Sequence, residues 1–191
     1  LALHPHVEEF YTEWLQKADS YGNETTSDLF NKAFSLFTLY NKLYVEATFE
    51  LARNNVITLN ENRGFPDRKG ATEYAPRFIG HQRLLQVFSE SNQCSTAIER
   101  LLSAIDNHEF YIKLSMLRGE RQPEKDATLA TRMRSNGIKT KVEAILDLIY
   151  SVRCNMFHGN KRYSNVQTEL LRPVTTLLRA VVVELYTRLN Q

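Results

Sequence analysis

Long apolar runs are missing from this chain. None approaches the roughly 18 consecutive apolar residues that a membrane-spanning helix requires. The opening Leu1-Ala2-Leu3-His4-Pro5-His6 lacks the charged flank and apolar centre of a secretory signal. A soluble protein with no membrane partner is expected. Cysteine is equally scarce: Cys94 and Cys154 stand 60 positions apart and no C-x-x-C pair occurs. That excludes a disulfide scaffold and a zinc cluster, and it favours a reducing cytoplasm. Glycines and prolines between Arg53 and Pro76 lack the regular spacing of a phosphate-cradling loop, so no nucleotide motif is present. No carboxylate cluster stands beside His158, so neither a metal nor another cofactor is expected.

What is present fits one globular domain: 191 residues, 42% hydrophobic and 24% charged. A net charge of +2 hides an asymmetry, with nine acidic and four basic side chains in residues 1–62 against thirteen acidic and twenty basic in 63–191. The later portion could attract a polyanion. A solvated face of scattered charge is the commoner meaning of such a pattern.

Helical periodicity runs through most of the chain. Residues 7–18 read as a short amphipathic helix with Phe10, Trp14 and Leu15 on one side. Ser27 can cap a second helix of about six turns. In it Ala33, Leu36, Tyr40, Leu43, Ala47 and Leu51 hold the spacing while Phe30, Phe34, Phe37, Tyr44 and Phe49 widen the face, so burial of that face is expected. From Arg53 to Pro76 the pattern breaks into a loop insertion, with a short strand conceivable at Val56-Ile57-Thr58-Leu59. Two helices follow at about 78–88 and 95–105, the second capped by Asn92 or Ser95; residues 110–117 extend the helical run, and 118–137 form a polar connector. His81 and His108 have no partner at ligand spacing and read as surface or hydrogen-bonded histidines. The last two helices start at 138 and, capped by Ser164, at 164, with Pro173 inside the second. Their short connection predicts an antiparallel hairpin. The fold class is all-α, an up-and-down bundle of four or more helices. Residues 1–26 supply a helix packed on or appended to the bundle; 27–191 form the domain itself, with the insertion at about 53–76.

Chemistry concentrates where the penultimate helix stops. Val142, Ile145, Ile149, Val152 and Met156 form its apolar stripe. Asp147, Ser151, Asn155 and His158 fall on the opposite face, and Arg153 lies on the flank beside Leu146, Tyr150 and Phe157. Arg153 and His158 are five positions apart, roughly 140° around the helix, so they converge only across an edge or groove shared with another helix. Gly159 suits a C-cap, and Asn160 with Lys161 leads the chain away.

Arg153-x4-His158 followed by glycine, with Asn155 between them and a long helix on either side, resembles the R-x4-6-H motif of the HEPN superfamily of small all-helical domains. Many members of that family are metal-independent endoribonucleases, and the resemblance implies such an activity in a defence or toxin-type setting. It also implies a homodimer, because the family's site is usually completed by two copies of the motif in one cleft. Family members often carry a polar residue directly after the arginine, where this chain has Cys154; that departure supports the alternative of a HEPN-like module without catalysis, serving dimerisation or RNA binding. A toxin silenced by an antitoxin partner that modifies a tyrosine two places after the histidine is the weaker implication, since that place is Asn160 and Tyr163 is out of register.

Side-chain chemistry agrees with RNA as the partner. Histidine exchanges protons near neutral pH, and arginine offers a fixed charge with a planar fork for phosphate oxygens. With the ribose 2′-hydroxyl as nucleophile, His158 would move the proton, Arg153 would stabilise the phosphorane, and Asn155 would orient the phosphate or the imidazole. Phosphate contacts would come from Lys161 and Arg162 and from the basic stretch upstream, notably Arg132, Arg134, Lys139 and Lys141. Each residue has an ordinary alternative: Arg153 pairing with Asp147 or Glu143, Asn155 bonding at a helix end, His158 meeting the helix C-terminus.

Overall fold

Local rules place the helix starts. The computed structural model describes residues 4–22, 24–115, 118–157 and 165–191. Pro5 opens α1 (Pro5–Asp19), where a missing N–H costs nothing. Thr25, rather than Ser27, caps α2 (Thr26–Arg53): its Oγ1 accepts from the Asp28 N–H at 3.0 Å while its hydroxyl donates to the Asp28 carboxylate at 2.7 Å, a reciprocal cap. Ser91, one place before the expected residues, caps α6 (Asn92–Asp106) through the Cys94 N–H.

The stretch expected to be a loop insertion is largely helical. Residues 56–59 form no strand; a 3-10 turn (Glu61–Arg63) leads to α3 (Asp67–Lys69), a π turn (Gly70–Tyr74) and α4 (Ala75–Ile79). Pro66 starts this segment and small residues let it approach α2: a Cβ added at Gly70 would stand 3.1 Å from the rings of Tyr44 and Phe65. Gly80, at φ 95°, makes the corner into α5 (His81–Glu90) that a side chain would resist.

Two further corrections follow α6. Residues 110–115 are not helical, and Leu114 instead pairs with Arg121 in an isolated antiparallel bridge. The polar connector contains α7 (Pro123–Met133), again begun by proline and with Glu124 and Asp126 in its first turn. Then come α8 (Ile138–Phe157) and α9 (Asn165–Leu189), the latter running through Pro173.

The elements form an all-α bundle, and no helix among the described residues is long and apolar enough to cross a membrane. α2 is its spine, lying closest to α9 and α1. Leu36, Tyr40, Leu43 and Tyr44 are fully or almost fully buried on it, each large side chain contributing about 1.5–3 kcal/mol. Not all of its aromatic face is covered, because Phe34 and Phe49 remain largely exposed. Among the described residues α8 has its close backbone neighbours in α7, α5 and the π turn, whereas α9 has its own in α2, α6, α4 and α5. The π turn has close backbone neighbours in both α2 and α8, and the connection of the predicted α8–α9 hairpin lies outside the described residues.

Candidate functional site

α8 carries its apolar stripe inward as the spacing requires, with Val142, Ile145, Ile149 and Val152 buried. Its opposite face is covered too. Asp147, Ser151 and Asn155 are buried where residues 110–115, outside any helix, run across them. Such a segment needs acceptors and donors from side chains. Asn155 Nδ2 donates to the Ile112 carbonyl at 2.8 Å, and the Asp126 carboxylate accepts from the Ile112 and Lys113 N–H groups at 3.1 and 2.7 Å. Asn155 therefore fastens backbone in this structure.

Arg153 sits on the flank, half-buried, and pairs with neither Asp147 nor Glu143. Its Nη1 donates to Asp67 Oδ2 at 3.0 Å, its Nη2 reaches Asn41 Oδ1 at 3.5 Å, and its guanidinium lies 5.4 Å from the centre of the Tyr150 ring. Asp67 also accepts hydrogen bonds from the hydroxyls of Tyr150, at 2.8 Å, and of Tyr44. Three elements thus meet in this cluster: α2 through Asn41 and Tyr44, α3 through Asp67, and α8 through Tyr150 and Arg153.

The electrostatics are mutually supporting. Burial opposes the ionised Asp67 carboxyl, but the two phenol hydrogen bonds and the charge of Arg153 outweigh it and hold its pKa below the usual carboxylate value. Burial, reinforced by the bond to Asp67, pushes both Tyr44 and Tyr150 up, so each phenol stays protonated as a donor. The arrangement holds one guanidinium in a fixed place with part of it at the surface, where an anion could compete for it or add to it.

The other expected residues distribute unevenly. His158, Lys161 and Arg162, together with Gly159, Asn160, Tyr163 and Ser164, lie outside the described residues. Arg132 reaches Asp147, 3.4 Å away, whereas Arg134 turns to Asp106 on α6. Lys139 is exposed and 3.9 Å from Glu143, and Lys141 is half-buried on the first turns of α8. Arg132, Arg134 and Lys139 thus approach three different acids. His81 lies 3.3 Å from Glu143. Cys154, next to Arg153, is half-buried and unbridged.

Sequence reading missed Asp67 and Arg68. For both a local signal existed, Pro66-Asp67 as a helix start, but the surrounding glycines and prolines masked it. No family model, curated protein or solved structure significantly matches the chain.

Proposed function

We propose that the chain is a metal-independent endoribonuclease of the HEPN type that acts as a homodimer, with Arg153 and His158 as its catalytic residues. The observation that carries this reading is the mounting of Arg153. A guanidinium held by Asp67, Asn41 and the Tyr150 ring at the end of α8 cannot wander, and electrostatic stabilisation of a transition state depends on such fixed charge. His158 follows five residues later in sequence.

In the proposed reaction the 2′-hydroxyl oxygen of the ribose attacks the adjacent phosphorus as His158 removes its proton. Arg153 stabilises the extra negative charge on the phosphorane oxygens. The bond from phosphorus to the 5′-oxygen breaks, that oxygen takes up a proton, and the products are a 2′,3′-cyclic phosphate and a 5′-hydroxyl. Asp67, Tyr44 and Tyr150 act through Arg153 by positioning it, and Asn155 by holding residues 110–115 on α8.

A second reading has its own support. Asp67 already balances the charge of Arg153, which suits a HEPN-like module that binds RNA or dimerises without cutting. Incubation with a mixed RNA pool in excess chelator separates the two. Cleavage with cyclic or 3′-phosphate ends, lost in both Arg153→Ala and His158→Ala, is the expected result. A need for magnesium, equal cutting of DNA, or cleavage that survives both substitutions would remove this mechanism.

A further inference from the structure

Asp147 gathers more positive charge than it can balance. On its Oδ1 it accepts from Arg68 Nη2 and from Lys113 Nζ, the latter at 2.8 Å, and Arg132 Nη1 lies 3.4 Å from its Oδ2. The three cations come from α3, from the 110–115 segment and from α7, so the fold converges them from separate elements. Lys113 is the internal partner: its side chain is 15% exposed and it also donates to Ser151 Oγ at 2.8 Å. Burial lowers its pKa, and Asp147 only partly offsets this.

Arg68 and Arg132 are different. Their side chains are 58% and 39% exposed, and each places one terminal nitrogen on Asp147. Asp126, whose carboxylate is engaged by the Ile112 and Lys113 N–H groups, is the other acid beside this cluster. Even with it, cations outnumber carboxylates, and the surplus lies on the two guanidiniums at the surface. Glu143, one turn earlier on α8, faces His81 and Lys139. Arg68 also stands 5.7 Å from the centre of the Tyr150 ring that Arg153 approaches to 5.4 Å, so the cluster is continuous with the candidate site.

We propose that Arg68 and Arg132, oriented by their shared hold on Asp147, form a two-guanidinium clamp for a backbone phosphate of single-stranded RNA and so seat the strand beside Arg153. A planar fork anchored by one nitrogen presents its remaining N–H donors in fixed directions, and phosphate oxygens accept such pairs well. The choice of RNA as the source of the phosphate rests on the function proposed above; the clamp does not need cleavage.

The test is anisotropy of a labelled short single-stranded RNA over a salt series, with the full chain carrying His158→Ala so that the RNA stays intact. In that background Arg68→Ala with Arg132→Ala weakens binding at least tenfold. It also reduces the steepness of the salt dependence by about 0.7, the share of one phosphate contact. Arg53→Ala with Arg83→Ala, which removes two exposed cations paired to Glu50 and Glu184, leaves both quantities unchanged. Should the alanine pair fail to fold, Arg68→Lys with Arg132→Lys keeps the charge but loses the fork, and weakens binding about threefold or more with the salt slope retained. Unchanged affinity in the variant that folds, an equal loss in the Arg53 and Arg83 control, or binding to anionic phospholipid vesicles without binding to RNA overturns the clamp. RNA held through the clamp but never cut by the wild-type chain removes the ribonuclease reading and leaves the clamp standing. RNA cut while Arg68 and Arg132 prove irrelevant to affinity does the reverse.

Discussion

Arg153 and Asp67 meet at 3.0 Å across 86 positions of sequence. The pair is partly exposed, with Arg153 at 23% and Asp67 at 41%. Its Coulomb energy alone is therefore modest. Asp67 matters more as a shared acceptor, because the Tyr150 hydroxyl depends on it as well and Tyr44 shares its hydroxyl between Asp67 and Asn41. Asp67→Ala should destabilise the fold by about 1–3 kcal/mol, the range for leaving partly buried donors without an acceptor. Denaturant midpoints for Asp67→Ala, Arg153→Ala and the double variant measure this. A coupling near zero between residues 67 and 153 would show that the contact does not position the arginine.

Acid should remove that contribution, and the sign is fixed by the direction of the shift. Hydrogen bonds and Arg153 hold the folded Asp67 pKa below its unfolded value of about 3.9. The stabilisation is fully present above about pH 4 and is lost as pH falls through the lower, folded value. The gap in stability between wild type and Asp67→Asn should thus be constant at neutral pH and close on acidification. Urea midpoints over that range check it, and a gap that widens in acid would mean that the carboxylate charge is not what the cluster uses.

Core and site substitutions should separate less cleanly than the apolar stripe alone predicts. Ile149 is fully buried on α8, and Ile149→Ala should cost about 2–5 kcal/mol. From its flank position Arg153 reads as nearly neutral for stability, but its contacts with Asp67, Asn41 and Tyr150 make Arg153→Ala cost about 1 kcal/mol. Thermal unfolding with RNA cleavage measured on the same samples distinguishes them: Ile149→Ala should lose stability first, Arg153→Ala activity first. Equal stability losses would make Arg153 chiefly a structural residue.

The helices with a continuous apolar stripe, α2 and α8 above all, were legible because period alone reveals them. Arg153 was placed on the correct flank for the same reason. Its partner was not legible, since Asp67 lies in a stretch whose glycines and prolines read as loop although Gly70 is there to let helix approach helix. α7 was obscured because its buried face is short, with Leu129, Ala130 and Met133 among charged neighbours. Residues 110–115 read as a continuation of the helical run, whereas Asn155, Asp126 and Asp147 hold them as non-helical backbone against the polar face of α8.

Assembly gives the last prediction. Arg153 and His158 diverge by roughly 140° on an ideal helix, so a two-fold related copy would bring both polar ends into one cleft, as an isologous interface requires. The active unit should be a homodimer, seen as such by sedimentation at micromolar concentration, with specific activity falling on dilution below the dissociation constant. Mixing wild type with His158→Ala, given time to exchange subunits, should depress activity below the value for independent sites, provided both histidines contribute to one shared cleft. Arg153→Ala mixed with His158→Ala is the sharper case. If each site draws its arginine and histidine from different chains, that mixture recovers one complete site per mixed dimer although neither variant is active alone. A monomer with full, concentration-independent specific activity would show the site complete within one chain, and the reading of the arginine–histidine divergence would then be wrong.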